Sequence, residues 1–318
     1  MSSSSKNVSV TFTNFLLVGL VEIESFGYLC AFLALALFSS TLFTSSMILY
    51  ITWTEKSLHE PMYIFICLLV INSMLGNTSY LPKLAIDLLS GCSTISLTGC
   101  FFQSFGIQLY AWTELFTFTI MAFDRYLAVG HPLRYHILMT NLAAQKISFA
   151  IYSLNVVIIT ITISLTARLS FCGVNIQSVF CEIMSLQPLA CTDITINVLF
   201  GTVWTLSMVV GCLGVILFCY IRTIMICMKL SAESSQKAIH TLVTHILAFS
   251  IYFTTFLFVI FRYRLNRGFS SATFDLIIPL IGTSIATSVN PLIYGIRTKA
   301  LKEKFVWNFQ KLCVKPKK

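Results

Sequence analysis

The sequence predicts an all-α membrane protein, a seven-transmembrane helix bundle with a short inner amphipathic helix. The 318-residue chain is 57% hydrophobic and only 10% charged, whereas a soluble domain carries roughly 25% charged residues. The charged residues are spaced so that they leave seven apolar stretches. Each stretch is close to the about 20 residues that a helix needs to cross a bilayer.

The gaps between charges give the spans in order. The predicted spans are residues 26–51, 61–83, 97–126, 147–167, 195–221, 238–262 and 274–296. Residues 1–25 then form an outer tail, residues 26–296 the transmembrane domain, and residues 297–318 an amphipathic helix and basic tail. In that last segment Leu301, Phe305 and Phe309 are four residues apart, so they share one helix face that can lie on the inner membrane surface.

Charge placement predicts the orientation. With the N-terminus outside, most of the 21 lysines and arginines fall in the inner loops and tail, as the positive-inside rule requires. The net charge of +9 follows from this bias, and it favours contact with anionic lipid headgroups over nucleic-acid binding. Asn7-Val8-Ser9 is a glycosylation sequon in the predicted outer tail.

Besides Cys92, which looks unpaired, four of the 11 cysteines lie on the predicted outer side, where an oxidising compartment preserves disulfides. They are Cys100, Cys172, Cys181 and Cys191. Four cysteines allow three pairings, and sequence alone does not choose among them. Cys313 in the basic tail is either a palmitoylation site or an ordinary free thiol.

The third span ends in Asp124-Arg125-Tyr126. Charge inside a bilayer is expensive unless it is paired or reaches an interface, so these residues indicate a helix end that faces water. The run from Met121 to Tyr135 closely resembles the third-helix signature of rhodopsin-like G protein-coupled receptors. Its last part, from His131 to Tyr135, resembles the odorant receptor branch of that family.

Further stretches resemble odorant receptors, and together they cover nearly the whole chain in the expected order. They are Leu58-His59-Glu60-Pro61-Met62-Tyr63, Phe171-Cys172, Phe180-Cys181-Glu182, Lys237-Ala238 with Thr241 and His245, and Asn290-Pro291-Leu292-Ile293-Tyr294. The forms Glu55-Lys56-Ser57-Leu58 and Gly295-Ile296-Arg297-Thr298-Lys299 look most like the fish versions of the family.

This resemblance implies a multi-pass receptor of the plasma membrane that binds a small odorant and activates a stimulatory-type heterotrimeric G protein. It also implies the disulfide pairs Cys100–Cys181 and Cys172–Cys191. The alternatives are a rhodopsin-like receptor for another small ligand and a seven-span transporter. A transporter would show repeated halves with midplane charges, and only Glu114 offers one. No phosphate loop, metal-binding cluster or nucleophile motif indicates an enzyme.

The resemblance places the odorant in the outer half of the bundle, where a pocket is apolar with a few polar groups. Helical register from Arg125 points one set of third-span residues inward, and sets on the later spans complete the site. The predicted ligand-binding residues are Ile107, Gln108, Ala111, Trp112, Trp204, Thr205, Met208, Phe253, Phe256, Leu257, Ile260, Arg264, Leu280, Thr283 and Ser284.

A second set, implied by the same motifs, couples the receptor to its G protein. An Asp124–Arg125 pair holds the off state, and breaking the pair frees Arg125 for the partner. Pro291 bends the seventh helix because it removes one backbone hydrogen bond. The full predicted set is Asp124, Arg125, Tyr126, Tyr220, Lys237, His245, Asn290, Pro291 and Tyr294.

Glu114 lies eleven residues before Arg125, about three turns up the same helix. An acid at bilayer depth indicates a functional site by default. One interpretation is a sodium ion held by Glu114 with Asn72 or Ser284 nearby; the other is a protonated Glu114 that hydrogen-bonds across helices. No other cofactor is expected.

The chain departs from the family pattern at several inner positions. Thr44-Ser45 replaces the usual Gly-Asn of the first span, and Asn72-Ser73 stands where the second span usually carries Asp, or Asn-Gly in fish forms. The fourth span has no tryptophan, and Leu242 stands where cysteine is usual. These departures predict a weakened inner polar network and altered signalling.

Overall fold

The computed structural model describes residues 14–229, 231–265 and 272–297. Seven long helices dominate this described part of the chain. They are α1 (Gly27–Thr54), α2 (Pro61–Ser90), α3 (Leu97–Gly130), α4 (Asn141–Ala167), α5 (Thr195–Cys227), α6 (Ala232–Leu265) and α7 (Ala272–Arg297). Each contains one predicted span almost entirely, and most continue by a turn or more into charged sequence at their ends.

Five of these helices are long and apolar enough to cross a membrane by length and composition, within the residues described. Helices α3 and α7 both carry polar residues within their apolar sequence. In α3 these include Glu114 and Asp124, and in α7 they include Thr287 and Asn290. Glu114, Asp124, Thr287 and Asn290 are all buried. These polar residues therefore face neighbouring helices.

Local sequence explains where several helices begin and end. Helix α3 begins after Ser96, whose Oγ accepts a hydrogen bond from the backbone N–H of Gly99. Helix α4 begins after Thr140, whose Oγ1 accepts from the N–H of Ala143. Both are N-caps that satisfy otherwise unpaired donors. Helix α2 starts with Pro61 and ends before Gly91, which has φ of 65° and adopts the left-handed conformation that glycine tolerates.

A small sheet covers one end of the bundle, a feature the sequence analysis did not predict. Strand β1 (Asn14–Leu17) lies between β2 (Thr94–Ser96), which is antiparallel to it, and β3 (Asn175–Ile176), which is parallel. We call this end of the bundle the sheet end and the opposite end the Arg125 end. Phe15, Leu17 and Ile176 are buried under the sheet, so the N-terminal strand closes a hydrophobic core.

Short helical segments connect the main elements. The α-helical ones are Val18–Glu22, Pro132–Leu138 and Ile183–Leu186, and the 3-10 ones are Glu24–Phe26, Lys56–Leu58 and Gln187–Leu189. Pro132–Leu138 lies between α3 and α4 at the Arg125 end. Segment 168–194, which joins α4 to α5, and the N-terminal strand both lie at the sheet end.

Helices α2 and α3 pack closely because each places a glycine against a side chain of the other. A Cβ atom at Gly106 would lie 2.0 Å from Ser79 Oγ, and one at Gly76 would lie 2.7 Å from the Tyr110 ring. Small residues allow helices in a membrane to approach in this way. The close approach brings Asn72 of α2 within hydrogen-bonding distance of α3.

Several predictions fall where the structure is not described. The sequon residue Asn7, the amphipathic segment with Leu301, Phe305 and Phe309, and Cys313 lie outside the described residues. The backbone is described at Lys237 and Arg264, but their side chains are not. The coupling role of Lys237 and the ligand role of Arg264 therefore remain predictions.

Candidate functional site

A cavity of about 150 Å³ lies between α3, α4, α5 and α6 near the sheet end. The segment between α4 and α5, residues 168–194, closes the cavity at the sheet end, and we call this segment the roof. The residues that line it come from these four helices and from that segment. They are Ile107, Gln108, Ala111, Trp112, Ile158, Ile159, Thr162, Glu182, Ile183, Met184, Gln187, Asn197, Phe200, Gly201, Trp204, Thr205, Phe256, Val259 and Ile260.

Aromatic rings form one wall of the cavity. The Trp112 ring lies edge-on to Trp204, with centroids 6.1 Å apart, and edge-on to Phe256 at 5.6 Å. Edge-to-face pairs at this spacing are favourable. Because the three residues belong to α3, α5 and α6, a ligand against this wall contacts three helices at once.

The roof of the cavity is tied to α3 by covalent and hydrogen bonds. Cys181 forms a disulfide with Cys100, with Cα atoms 5.2 Å apart. The backbone N–H of Cys181 donates to Gln103 Oε1 at 2.7 Å, and its carbonyl accepts from Ser104 Oγ at 3.1 Å. A second bridge, Cys172–Cys191, closes the same segment on itself. Both pairs are those implied by the family resemblance.

Loss of the first bridge should therefore free the roof. We expect Cys100→Ser and Cys181→Ser to lower surface expression and ligand response to the same extent, and the double variant to be no worse, because two halves of one bond are not additive. Flow cytometry and a dose–response series measure the two effects. Cys92→Ser, which changes an exposed free cysteine, serves as the control. Unequal single defects or an additive double defect would contradict the pairing.

The structure brings eight of the predicted ligand residues together around the cavity. They are Ile107, Gln108, Ala111, Trp112, Trp204, Thr205, Phe256 and Ile260. All four residues predicted on α3 belong to this set. The helical register counted from Arg125 therefore identifies the α3 residues that line the cavity.

The structure places the other predicted ligand residues with described side chains elsewhere. Met208 packs against the bundle core, and Phe253 stacks on Phe249 with ring centroids 5.2 Å apart. Leu257 is half-buried but does not line the cavity. These three residues do not line the cavity, and the ligand role predicted for them remains a prediction.

The ligand residues predicted on α7 also do not line the cavity. Leu280 packs against the core beneath the sheet. Ser284 Oγ accepts a hydrogen bond from the Tyr80 hydroxyl of α2 at 3.1 Å. Ser284 thus faces α2 and Leu280 faces the core beneath the sheet, and none of Leu280, Thr283 and Ser284 lines the cavity.

Sequence reasoning missed the α4 residues and the roof. Ile158, Ile159 and Thr162 line the cavity from α4, while Glu182 and Met184 line it from the segment above. One sequence feature could have indicated Glu182. It directly follows Cys181, so it must lie close to α3 if that cysteine pairs with Cys100. The α4 residues had none, because nothing in the sequence fixes the rotation of that apolar helix.

At the Arg125 end, Asp124 is the centre of a polar cluster. Its Oδ2 accepts from Arg125 Nε at 3.0 Å and Nη2 at 2.5 Å, and its Oδ1 accepts from the Tyr135 hydroxyl at 2.8 Å. Asp124 is 1% exposed. Burial and the neighbouring Asp124 carboxylate raise the pKa of Tyr135 above its ordinary value, so its hydroxyl stays protonated and donates to Asp124.

We expect Tyr135→Phe to raise basal signalling, because Asp124 loses one charge-assisted hydrogen bond worth about 1.5–3 kcal/mol. The measurement is cyclic AMP output without odorant at matched surface level. Tyr152→Phe is the control, because the buried Tyr152 hydroxyl has no hydrogen-bond partner among the described residues. Basal output equal to the parent's in Tyr135→Phe would contradict a holding role for Tyr135.

The other predicted coupling residues surround this cluster. Tyr126 packs against Phe218 of α5 at 5.9 Å and its hydroxyl lies 3.3 Å from His131 Nε2. His245 Nδ1 of α6 lies 3.1 Å from the Tyr294 hydroxyl of α7. These contacts join α3 to α5 and α6 to α7.

Tyr220 and Pro291 complete the predicted coupling set. The Tyr220 hydroxyl is buried without a hydrogen-bond partner in the part of the chain described. Helix α7 continues through Pro291 to Arg297, although proline removes one backbone bond. Leu242, at the position where cysteine is usual, is buried in the apolar core.

Glu114 lies at the centre of the bundle, fully buried. Its Oε2 accepts from Asn72 Nδ2 of α2 at 2.7 Å, and its Oε1 accepts from Asn290 Nδ2 of α7. Asn72 Nδ2 also donates to the Tyr110 carbonyl at 2.9 Å. Glu114 therefore joins three helices through two amides. Asn72 is the neighbour that was predicted, whereas Ser284 bonds to Tyr80.

A second polar group joins α1, α2 and α7. Thr287 Oγ1 donates to Asn77 Oδ1 at 2.5 Å, while Ser288 Oγ accepts from Thr41 Oγ1 at 3.1 Å and from Asn77 Nδ2 at 3.4 Å. The departures from the family pattern predict a weakened inner polar network. In the structure this network nevertheless contains hydrogen bonds between helices. By contrast, the hydroxyls of Ser45 and Ser73 have no hydrogen-bond partner within the described residues.

The features together define a class of protein. Seven long helices, a roofed cavity at one end and an ion-paired arginine at the other are the architecture of a seven-helix membrane receptor. Residues 33–311 match the sequence profile of the olfactory receptor family. The chain belongs to that family.

Relatives from two mammals support the assignment. The chain is 31% identical to olfactory receptor 51E1 of Homo sapiens over 295 residues, 92% of each protein. It is 30% identical to olfactory receptor 10H4 of Homo sapiens over 88% of this chain and 89% of that one. It is 29% identical to olfactory receptor 6E1 of Mus musculus over 95% and 98%. The fold class, the receptor function and the non-enzymatic role predicted from the sequence are confirmed, and the transporter alternative is set aside.

Proposed function

We propose that the cavity between α3 and α6 is the odorant site and that the Arg125 end activates a stimulatory-type G protein. One observation carries this proposal: the cavity and the Asp124–Arg125 pair lie along opposite halves of α3. An odorant that binds one state of the bundle more tightly shifts the off/on equilibrium toward it. Helix α3 provides a direct physical connection between the two ends.

An odorant screen in transfected cells with a cyclic AMP readout tests this function. An active odorant should lose potency when Trp112 is replaced by alanine, because that ring contacts both Trp204 and Phe256 in the cavity wall. Phe149→Ala, at an exposed position of α4, provides the matched control. Equal potency in the parent and in Trp112→Ala would place the odorant elsewhere.

We further propose that the receptor is in the plasma membrane with the sheet end outside. The positive-inside bias and two disulfides at the sheet end support this orientation. An epitope tag before residue 1 should be stained on intact cells, and Asn7→Gln should reduce the mass lost on deglycosylation. Staining only after permeabilisation would reverse the orientation.

Sodium is the proposed ion at Glu114. The carboxylate accepts from two amides, and the buried Asn72 Oδ1 has no hydrogen-bond partner among described atoms, so an oxygen pair suits a hard cation. The described residues contain no group of three or more His, Cys, Asp or Glu side chains that could hold a metal. Any ion at this position would therefore depend on Glu114 and amide oxygens.

A further inference from the structure

Most polar groups around the cavity are already engaged. Asn197 Oδ1 accepts from Arg168 Nη2 at 3.1 Å, and its Nδ2 donates to Thr166 Oγ1 at 3.3 Å. Thr162 Oγ1 donates to the Ile158 carbonyl in its own helix. The Glu182 side chain caps the short helix that follows it by accepting a backbone N–H. These groups do not need a ligand to satisfy them.

Two hydrogen-bond donors of the lining differ from them. Gln108 Nε2 on α3 and Trp204 Nε1 on α5 are buried, and neither has a hydrogen-bond partner among the described residues. An indole N–H can only donate, and an amide NH₂ offers two donors. A buried donor without a partner is costly, so a ligand that supplies an acceptor at this place gains affinity from both groups.

We infer that the cavity selects neutral, ring-sized odorants that carry an accepting oxygen, as in a ketone, aldehyde or ester. This inference rests on the proposed odorant-binding role of the cavity. Its volume of about 150 Å³ is that of a cavity that holds benzene. The wall formed by Trp112, Phe256, Val259 and Ile260 provides the apolar surface for the ring.

Charged ligands fit the same lining poorly. None of the described lining residues is Lys or Arg, so a carboxylate would enter without a cation. An ammonium would have the Glu182 carboxylate of the lining as a counter-charge, but it would bring further N–H donors to Gln108 Nε2 and Trp204 Nε1, which need acceptors. A plain hydrocarbon would fill the space and leave both donors unsatisfied.

Matched compounds on one skeleton test the inference. We would use cyclohexyl methyl ketone, ethylcyclohexane, 1-cyclohexylethylamine and cyclohexanecarboxylate, and repeat the set on methyl-substituted rings. Binding is measured as the shift in melting temperature of the purified receptor, since a ligand that binds the folded state stabilises it. The ketones should give the largest shift. A larger shift with the amines, the carboxylates or the hydrocarbons, or no shift with any ketone, would overturn the inference.

Variants identify the two donors. Gln108→Leu and Trp204→Phe should each weaken ketone binding by about threefold to tenfold, the value of one neutral hydrogen bond, and leave hydrocarbon binding nearly unchanged. Val259→Ala is the control, because it alters the wall without removing a donor and should weaken both compounds alike. Ketone binding unchanged in both donor variants would overturn the assignment.

The same experiment separates this inference from the proposed function. If ketones stabilise the purified receptor but produce no cyclic AMP, the ligand class holds and the signalling role fails. If an amine or a carboxylate both binds best and signals, and Trp112→Ala removes that signal, the odorant site holds and the ligand class fails.

Discussion

Replacing Arg125 with alanine is expected to reduce odorant-stimulated cyclic AMP to the level of untransfected cells while odorant binding persists. Arg125 holds Asp124 through Nε and Nη2, and it is the exposed member of the pair, with a side chain 17% exposed against 1% for Asp124. When the pair opens, Arg125 can approach the C-terminal carbonyls of a partner helix, which attract cations. Alanine removes this contact.

Within the described part of the chain, the same change leaves Asp124 with the Tyr135 hydroxyl as its remaining side-chain partner. A buried charge that loses its partner destabilises a protein by about 3–5 kcal/mol, so Arg125→Ala needs a companion that removes the unpaired charge. Asp124→Asn/Arg125→Ala should restore surface expression without restoring cyclic AMP output. Lys146→Ala, an exposed cation change on α4 at the same end, should signal normally. Cyclic AMP output in Arg125→Ala equal to the parent's at equal surface level would rule out the coupling role.

The fold was predictable because membrane spans depend on length and apolar composition, which a sequence displays directly. The sheet was not predictable for a physical reason. Its strands contain four, three and two residues, too short to show an alternating pattern. They pair because the disulfide-bonded segment and the N-terminal strand meet over buried residues such as Phe15 and Ile176.

The candidate site was predicted most completely where one rotation was already fixed, since every residue predicted on α3 lines the cavity but only some of those on α5 and α6 do. Arg125 sets the register of α3, and Gln108 and Trp112 follow from it by helix periodicity. Helix α7 has no such reference at its sheet end, and Ser284 proved to face Tyr80. The contact between Tyr135 and Asp124 depends on how the chain turns after His131, which no periodicity describes.

Glu114→Gln is expected to raise basal signalling and to remove any effect of sodium on it. In the parent both carboxylate oxygens accept from amides, of Asn72 on α2 and Asn290 on α7. Glutamine has one accepting oxygen and one NH₂ group, so one amide would meet a donor in place of an acceptor. A lost hydrogen bond to a charged group is worth about 1.5–3 kcal/mol, which corresponds to a roughly tenfold to hundredfold change in an equilibrium constant.

The direction follows from the location of Asn290, directly before Pro291 on α7. A weaker hold of α3 on α7 favours movement of α7, and removal of the charge also removes the group that would hold sodium in the off state. Basal cyclic AMP is measured at matched surface level in sodium and in choline medium. Glu114→Asp keeps the charge and should keep the sodium effect. If Glu114→Gln instead matches the parent in both media, Glu114 is a neutral hydrogen-bonding group between helices, and the sodium site must be abandoned.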